Sequence, residues 1–179
     1  MFLTRLTISL VEFVVQVILA VLSVYVSYTI FNRANTDFNQ EEELKKGNIA
    51  VAVLLASIMV SSGMIIQKGL YPIMSLLKIY FTSPGRQTMA QWQLPLFALA
   101  HFVMVFTLTV LTISFALRLY GRLTVKIQEG KELERGNAAV GIVLAGVVFI
   151  VSLYVGEGIG NLTKTLIPQP SIGKIQILK

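Results

Sequence analysis

The sequence has no cysteine and a single histidine, and only 13% of its 179 residues are charged. The missing cysteines exclude disulfides, thiol catalysis and thiolate metal sites, and leave the redox compartment open. One histidine, with no paired acids at catalytic spacing in the apolar runs, leaves little to run chemistry with, so no enzyme, cofactor or metal site is expected. Soluble domains carry about 25% charged residues. Half that charge, with 55% hydrophobic residues and a mean hydropathy of +0.74, points to the bilayer as solvent. The net charge of +6 then reads as lipid sensing and topology rather than nucleic-acid binding.

What the sequence does have is itself, twice. Residues 43–56, ELKKGNIAVAVLLA, recur 89 positions later (132 − 43) as ELERGNAAVGIVLA, with eight of fourteen residues identical. The offset holds upstream as well, where Leu10, Phe13, Val14, Leu19, Val21, Leu22 and Arg33 match Leu99, Phe102, Val103, Leu108, Val110, Leu111 and Arg122. Self-similarity at a fixed offset is read first as duplication. Each copy holds two apolar runs, so the copies enter from the same face and are parallel repeats.

The runs are 6–31, about 48–66, 94–117 and 138–159, each near the 20 residues a spanning helix needs. The expected architecture is all-α: four transmembrane helices as two parallel-repeat hairpins, plus a short interfacial helix. The 179 residues form one membrane domain, with repeat one at 6–70, interfacial helix and linker at 71–94, repeat two at 95–160 and a tail at 161–179. The interfacial helix rests on Pro72 as a first helical residue, the stripe Ile73, Leu76, Leu77, Tyr80 and Phe81, and the breaker Ser83-Pro84-Gly85. Tyr80 and Trp92 are its interfacial anchors. Asn39 and Glu42 form a capping box before a short turn. The basic hinges, 32–47 and 118–137, are expected in the cytoplasm and both termini outside.

Two copies of a Glu-x-x-x-Gly-Asn-x-Ala block, each opening the second helix of a hairpin, resemble the YjfL-like membrane proteins, the family of domain of unknown function 350. The resemblance rests on Glu43, Gly47 and Asn48 and on Glu132, Gly136 and Asn137. It implies a multi-pass protein of a prokaryotic cytoplasmic membrane, without established activity, and a band-7-type scaffold as a partner.

From the residues themselves, Asn48 and Asn137 read as helix caps and Gly47 and Gly136 as the turns into them. The alternative is a polar pair lining a shared site at the pseudo-twofold axis. Ala52 with Ala56, and Gly141 with Ala145, are small residues four apart, which let helices approach in lipid or join protomers. Gly156 and Gly160 add a second such patch.

Ionisable residues at membrane depth need pairing or water. Glu12 and His101 share the 89-residue offset, as do Lys68 and Glu157, and all four belong near the non-hinge face. They are the candidate polar cluster, set against simple headgroup placement. Two functions follow: a non-enzymatic membrane scaffold or subunit of a larger assembly, or a small oligomeric ion or solute pathway through the cluster. The partners are the bilayer and a second copy or another membrane protein.

Overall fold

A computed structural model describes residues 2–34, 39–82, 92–123 and 128–167. The described residues form α1 (Phe2–Ala34), α2 (Gln40–Lys45), α3 (Ile49–Thr82), α4 (Gln93–Leu123), α5 (Glu129–Glu134) and α6 (Ala138–Leu166). The long helices α1, α3, α4 and α6 are each apolar enough and long enough to cross a membrane, and α2 and α5 are single short turns in the hinges. The outward surface fits lipid: Leu10, Val14, Val21, Leu99, Val103, Ile142 and Ile150 are all exposed. Contiguous apolar surface of that kind is rare on a soluble monomer.

The bundle is built on α3, which packs against α1, α4 and α6. Helices α1 and α3 run antiparallel, because Ser27 meets Ser62 near the middle of the bundle and Glu12 meets Lys78 toward the end of α3. Helices α3 and α6 run parallel, with Gly141 against Ala50, Gly156 against Ile65 and Gly160 against Lys68. Their approach is closest at the hinge end. A Cβ on Gly141 would lie 2.6 Å from the Ala50 carbonyl oxygen and 2.7 Å from its Cα, so only glycine fits there. Gly69 serves the α3–α4 contact similarly, where a Cβ would fall 2.6 Å from Val105 Cγ1.

The buried face of α3 runs through Ala50, Leu54, Ile58, Ser61, Ile65 and Gly69, steps of three and four residues. Ala52 and Ala56 are two residues out of that register, about 200° around the helix at about 100° per residue. Both are exposed, so the α3–α6 contact uses Gly141 and Ala145 from the expected small residues and not Ala52 or Ala56.

The interfacial helix expected from Pro72 is corrected: α3 continues through Pro72 to Thr82 without a break. Pro72 has no N–H to give the Lys68 carbonyl. The α6 backbone comes up to that carbonyl instead, and a Cβ on Gly160 would lie 3.3 Å from its oxygen. A proline in a membrane helix is tolerated where a neighbouring helix covers the freed group. The stripe carried by Ile73 and Leu76 is buried within the bundle rather than laid on the interface. Helix α6 likewise runs past the expected end at 159, to Leu166. Trp92 is exposed at the start of α4, while the Tyr80 side chain, the Ser83-Pro84-Gly85 break and the tail beyond 167 lie outside the described residues.

Gly141→Val should force α3 and α6 apart, destabilising by about 1–3 kcal/mol, the cost of overpacking. Ala56→Leu, on the outer face, should stay within about 0.5 kcal/mol. Thermal unfolding of both variants in one detergent checks the difference.

Candidate functional site

The hinge turns are the most closely specified polar structure in the chain. Helix α2 ends at Gly47, whose φ is +77°, and α5 ends at Gly136, also at +77°. That left-handed conformation strains any residue with a Cβ, so glycine is required at both. The Gly47 N–H donates to the Leu44 carbonyl and the Asn48 N–H to the Glu43 carbonyl, both at 3.0 Å. At the second hinge Gly136 donates to Leu133 at 3.0 Å and Asn137 to Glu132 at 2.9 Å. This paired pattern is the Schellman ending of a helix, in which the two residues after the cap recover orphan carbonyls.

Where that motif commonly adds a hydrophobic contact, both hinges add a charged one. Asn48 Nδ2 donates to Glu43 Oε2 at 2.9 Å and Lys46 Nζ lies 2.6 Å from Glu43 Oε1. In the other hinge Asn137 Nδ2 donates to Glu132 Oε2 at 2.8 Å and Arg135 lies 3.0 Å from Oε1. The asparagine amide, then the neighbouring cation, hold each carboxyl below its ordinary value of 4.5. Glu43 in turn raises the Lys46 ammonium above its ordinary value.

The two asparagines then diverge. Asn48 is buried, and its Nδ2 also reaches across to the α5 carbonyls, Leu133 at 2.7 Å and Glu134 at 3.3 Å. Its Oδ1 accepts from the Val51 N–H at 3.2 Å, capping α3. Asn137 starts α6 with no side-chain cap bond. One side chain therefore closes its own turn, caps its own helix and fastens the other hinge. The Asn39 side chain accepts from Glu42 N at the start of α2, whereas Gln128 makes no cap bond at α5. Tyr28 donates to Glu41 Oε1 at 2.8 Å, which fastens α1 to the first hinge.

The four ionisable residues expected to cluster are dispersed. Lys68 and Glu157 do meet, Nζ to Oε1 at 3.0 Å, but as an exposed pair. Glu12 lies 3.6 Å from Lys78, a partner the sequence did not single out. His101 is buried beside Phe97, ring centroids 5.4 Å apart, and its Nε2 makes no hydrogen bond among the described residues. The position 89 residues beyond Lys78 is Ile167, so the counterpart of the Glu12–Lys78 pair carries no charge opposite the histidine. Sequence reasoning also missed the buried Ser27–Ser62 bond, 2.6 Å between hydroxyls. The signal available was the polar spacing Glu12, Gln16, Ser23, Ser27 along one side of α1.

Four candidate spans joined by capped hinges define the class, a multi-pass helical membrane protein. Within it, the family model for Domain of Unknown Function (DUF350) matches residues 89–173, a span that holds the second Gly-Asn block, Gly136 and Asn137. No curated protein and no solved structure matches the chain.

Asn48→Ala removes a cap, worth about 1 kcal/mol, and three bonds besides, whereas Asn137→Ala removes one bond and no cap. The first should lower the unfolding midpoint clearly more than the second when both are measured side by side.

The hinge carboxylates also set a pH dependence. Because their folded pKa values are depressed, their contribution is complete above the ordinary 4.5 and is lost as pH falls through the folded values. Glu43→Gln combined with Glu132→Gln should therefore lower the unfolding midpoint at pH 7. The variant and parent curves should converge below pH 4.5, where the parent carboxyls take up protons.

Proposed function

We propose that the chain is a non-enzymatic scaffold or subunit of a larger membrane assembly, presenting two rigid charged hinges on one face of the bilayer. The observation that carries this reading is the pair of hinge turns, locked within themselves and tied together by Asn48. Such turns hold Lys46, Arg135 and their neighbours in fixed places, as a docking surface requires and a gating loop does not. The polar groups inside the bundle support it as well. Ser27 and Ser62 bond each other, and Thr109, Ser152 and Thr163 bond carbonyls four residues back in their own helices. These hydroxyls are used for packing within and between the helices.

In this reading the two hairpins arose by duplication, which the matching hinge hydrogen bonds support. The membrane is a prokaryotic cytoplasmic one with the hinges inside, and the partners are further copies or a band-7-type scaffold. No catalytic step is assigned to His101, which stands against the Phe97 ring and makes no Nε2 hydrogen bond among the described residues.

The test is ion flux into proteoliposomes, compared with protein-free vesicles and with Lys68→Ala combined with Glu157→Ala. Flux at the background level for both proteins is the expected result. Flux well above background that the double substitution abolishes would replace the scaffold with an ion pathway through that pair.

A further inference from the structure

The side of α1 that faces α3 does not close onto it. Between the two helices lies a cavity of about 610 Å³, reaching from Met59 and Val24 out to Glu12 and Lys78. A smaller apolar cavity of about 190 Å³ continues past the same Glu12 and Lys78 toward Phe81. We propose that this groove binds one phospholipid with a primary-amine zwitterionic headgroup, a phosphoethanolamine lipid, its phosphate on Lys78 and its ammonium on Glu12.

Depth is the first support. Thirty residues of α3 separate Asn48 from Lys78, about 45 Å at about 1.5 Å per residue, and a bilayer with its headgroups is about 40–45 Å thick. With the hinge at one surface, Glu12 and Lys78 stand among the opposite headgroups. Lining chemistry is the second: the charged pair stands at the headgroup end, Gln16, Tyr71 and Gln67 interleave with Leu70 and Leu19 further in, and Ile66 and Met59, with Ser23, line the deep end. From Lys78 to Met59 is nineteen residues, about 28 Å, enough for one leaflet of about 20 Å.

Charge pattern selects the headgroup. The Lys78 ammonium and Glu12 carboxylate lie 3.6 Å apart and both are partly exposed, which suits a ligand carrying both signs in close sequence. A phosphate accepts from Lys78 and a primary ammonium donates to Glu12. A choline headgroup has no N–H to donate, and a glycerol headgroup has no cation for Glu12. Gly63 keeps the tail end open: it lines the groove, and a Cβ there would meet nothing within 4 Å. The second hairpin fills the equivalent positions differently, since those 89 beyond Gln67 and Tyr71 are Gly156 and Gly160, packed on α3.

The test is native mass spectrometry of the full chain in mild detergent, titrated separately with phosphatidylethanolamine, phosphatidylcholine and phosphatidylglycerol. Retention of one phosphatidylethanolamine per chain at about tenfold over the other two is expected, the size of one charge-assisted hydrogen bond. Glu12→Gln should reduce that preference to about twofold or less, and Lys78→Gln should weaken all three lipids. Gly63→Leu should cut retention of every lipid with the ion pair intact. Circular dichroism should show unchanged helicity for all three variants, whose sites lie on the open groove. Equal retention of the three lipids by the parent, or a preference that survives Glu12→Gln, would overturn the proposal. So would a dimer that Gly63→Leu dissociates while lipid retention stays unchanged, since the groove would then hold a second copy.

Discussion

The side-chain amide of Asn48 is the interaction on which the rest of the bundle depends. In lipid there is little hydrophobic force to bring helices together, so packing must be started by contacts that fix position. Asn48 starts it at the hinge by bonding the carbonyls that end α5, immediately before α6 begins. Two residues further along α3, Ala50 meets Gly141 with backbone nearly against backbone. From there the parallel helices stay close through Gly156 and Gly160. A side chain larger than hydrogen at Gly141 would put the hinge bond and the helix contact in competition. The glycine lets both be made.

The two hairpins share a hinge and differ in how their helices close. In the second, Gly156 and Gly160 leave α6 free to lie on α3, and α4 packs on both. In the first, the corresponding positions are Gln67 and Tyr71, whose bulk and polarity turn away from α6 and into the space beside α1. That space is bridged at its ends, by Ser27 with Ser62 near the middle of the bundle and by Glu12 with Lys78 at the far end. Helix α1 is thus held at points along its length and leaves an open groove between them. The same hairpin pattern thus serves packing in one half of the chain and leaves a ligand-sized space in the other.

How much of this was legible follows from what each signal depends on. The spans were legible because length and hydropathy are properties of one helix, and the hinge turns because a positive-φ glycine acts over five residues; the cap expected of both asparagines is made by Asn48 alone, and Asn137 makes none. Helix faces were less so. Ala52 and Ala56 have the right composition and spacing for close packing, yet the contact face of α3 is fixed by Ala50 and its register. Pro72 read locally as a helix start, and only the nearness of α6 to the Lys68 carbonyl shows why the helix continues. The four-residue polar cluster failed for a related reason. A shared offset of 89 puts residues at one level and does not say which way they face.

Lys68 and Glu157 show what the offset does encode. Equivalent residues of two parallel hairpins can touch only where they lie beside the axis relating them, and this pair touches at 3.0 Å. Opposite charges at equivalent positions then attract across that axis, whereas two copies of either residue would repel. Exposure keeps the attraction modest, since solvent-facing pairs contribute about 0–1 kcal/mol. Its use is therefore specificity: it favours the register in which α3 and α6 stand level over one slipped by a turn. Glu12 and His101 occupy the outer helices, away from that axis, and have no reason to meet. Glu12 instead finds Lys78 on α3, while the place that matches Lys78 on the other side is an isoleucine, and among the described residues His101 stands against the Phe97 ring.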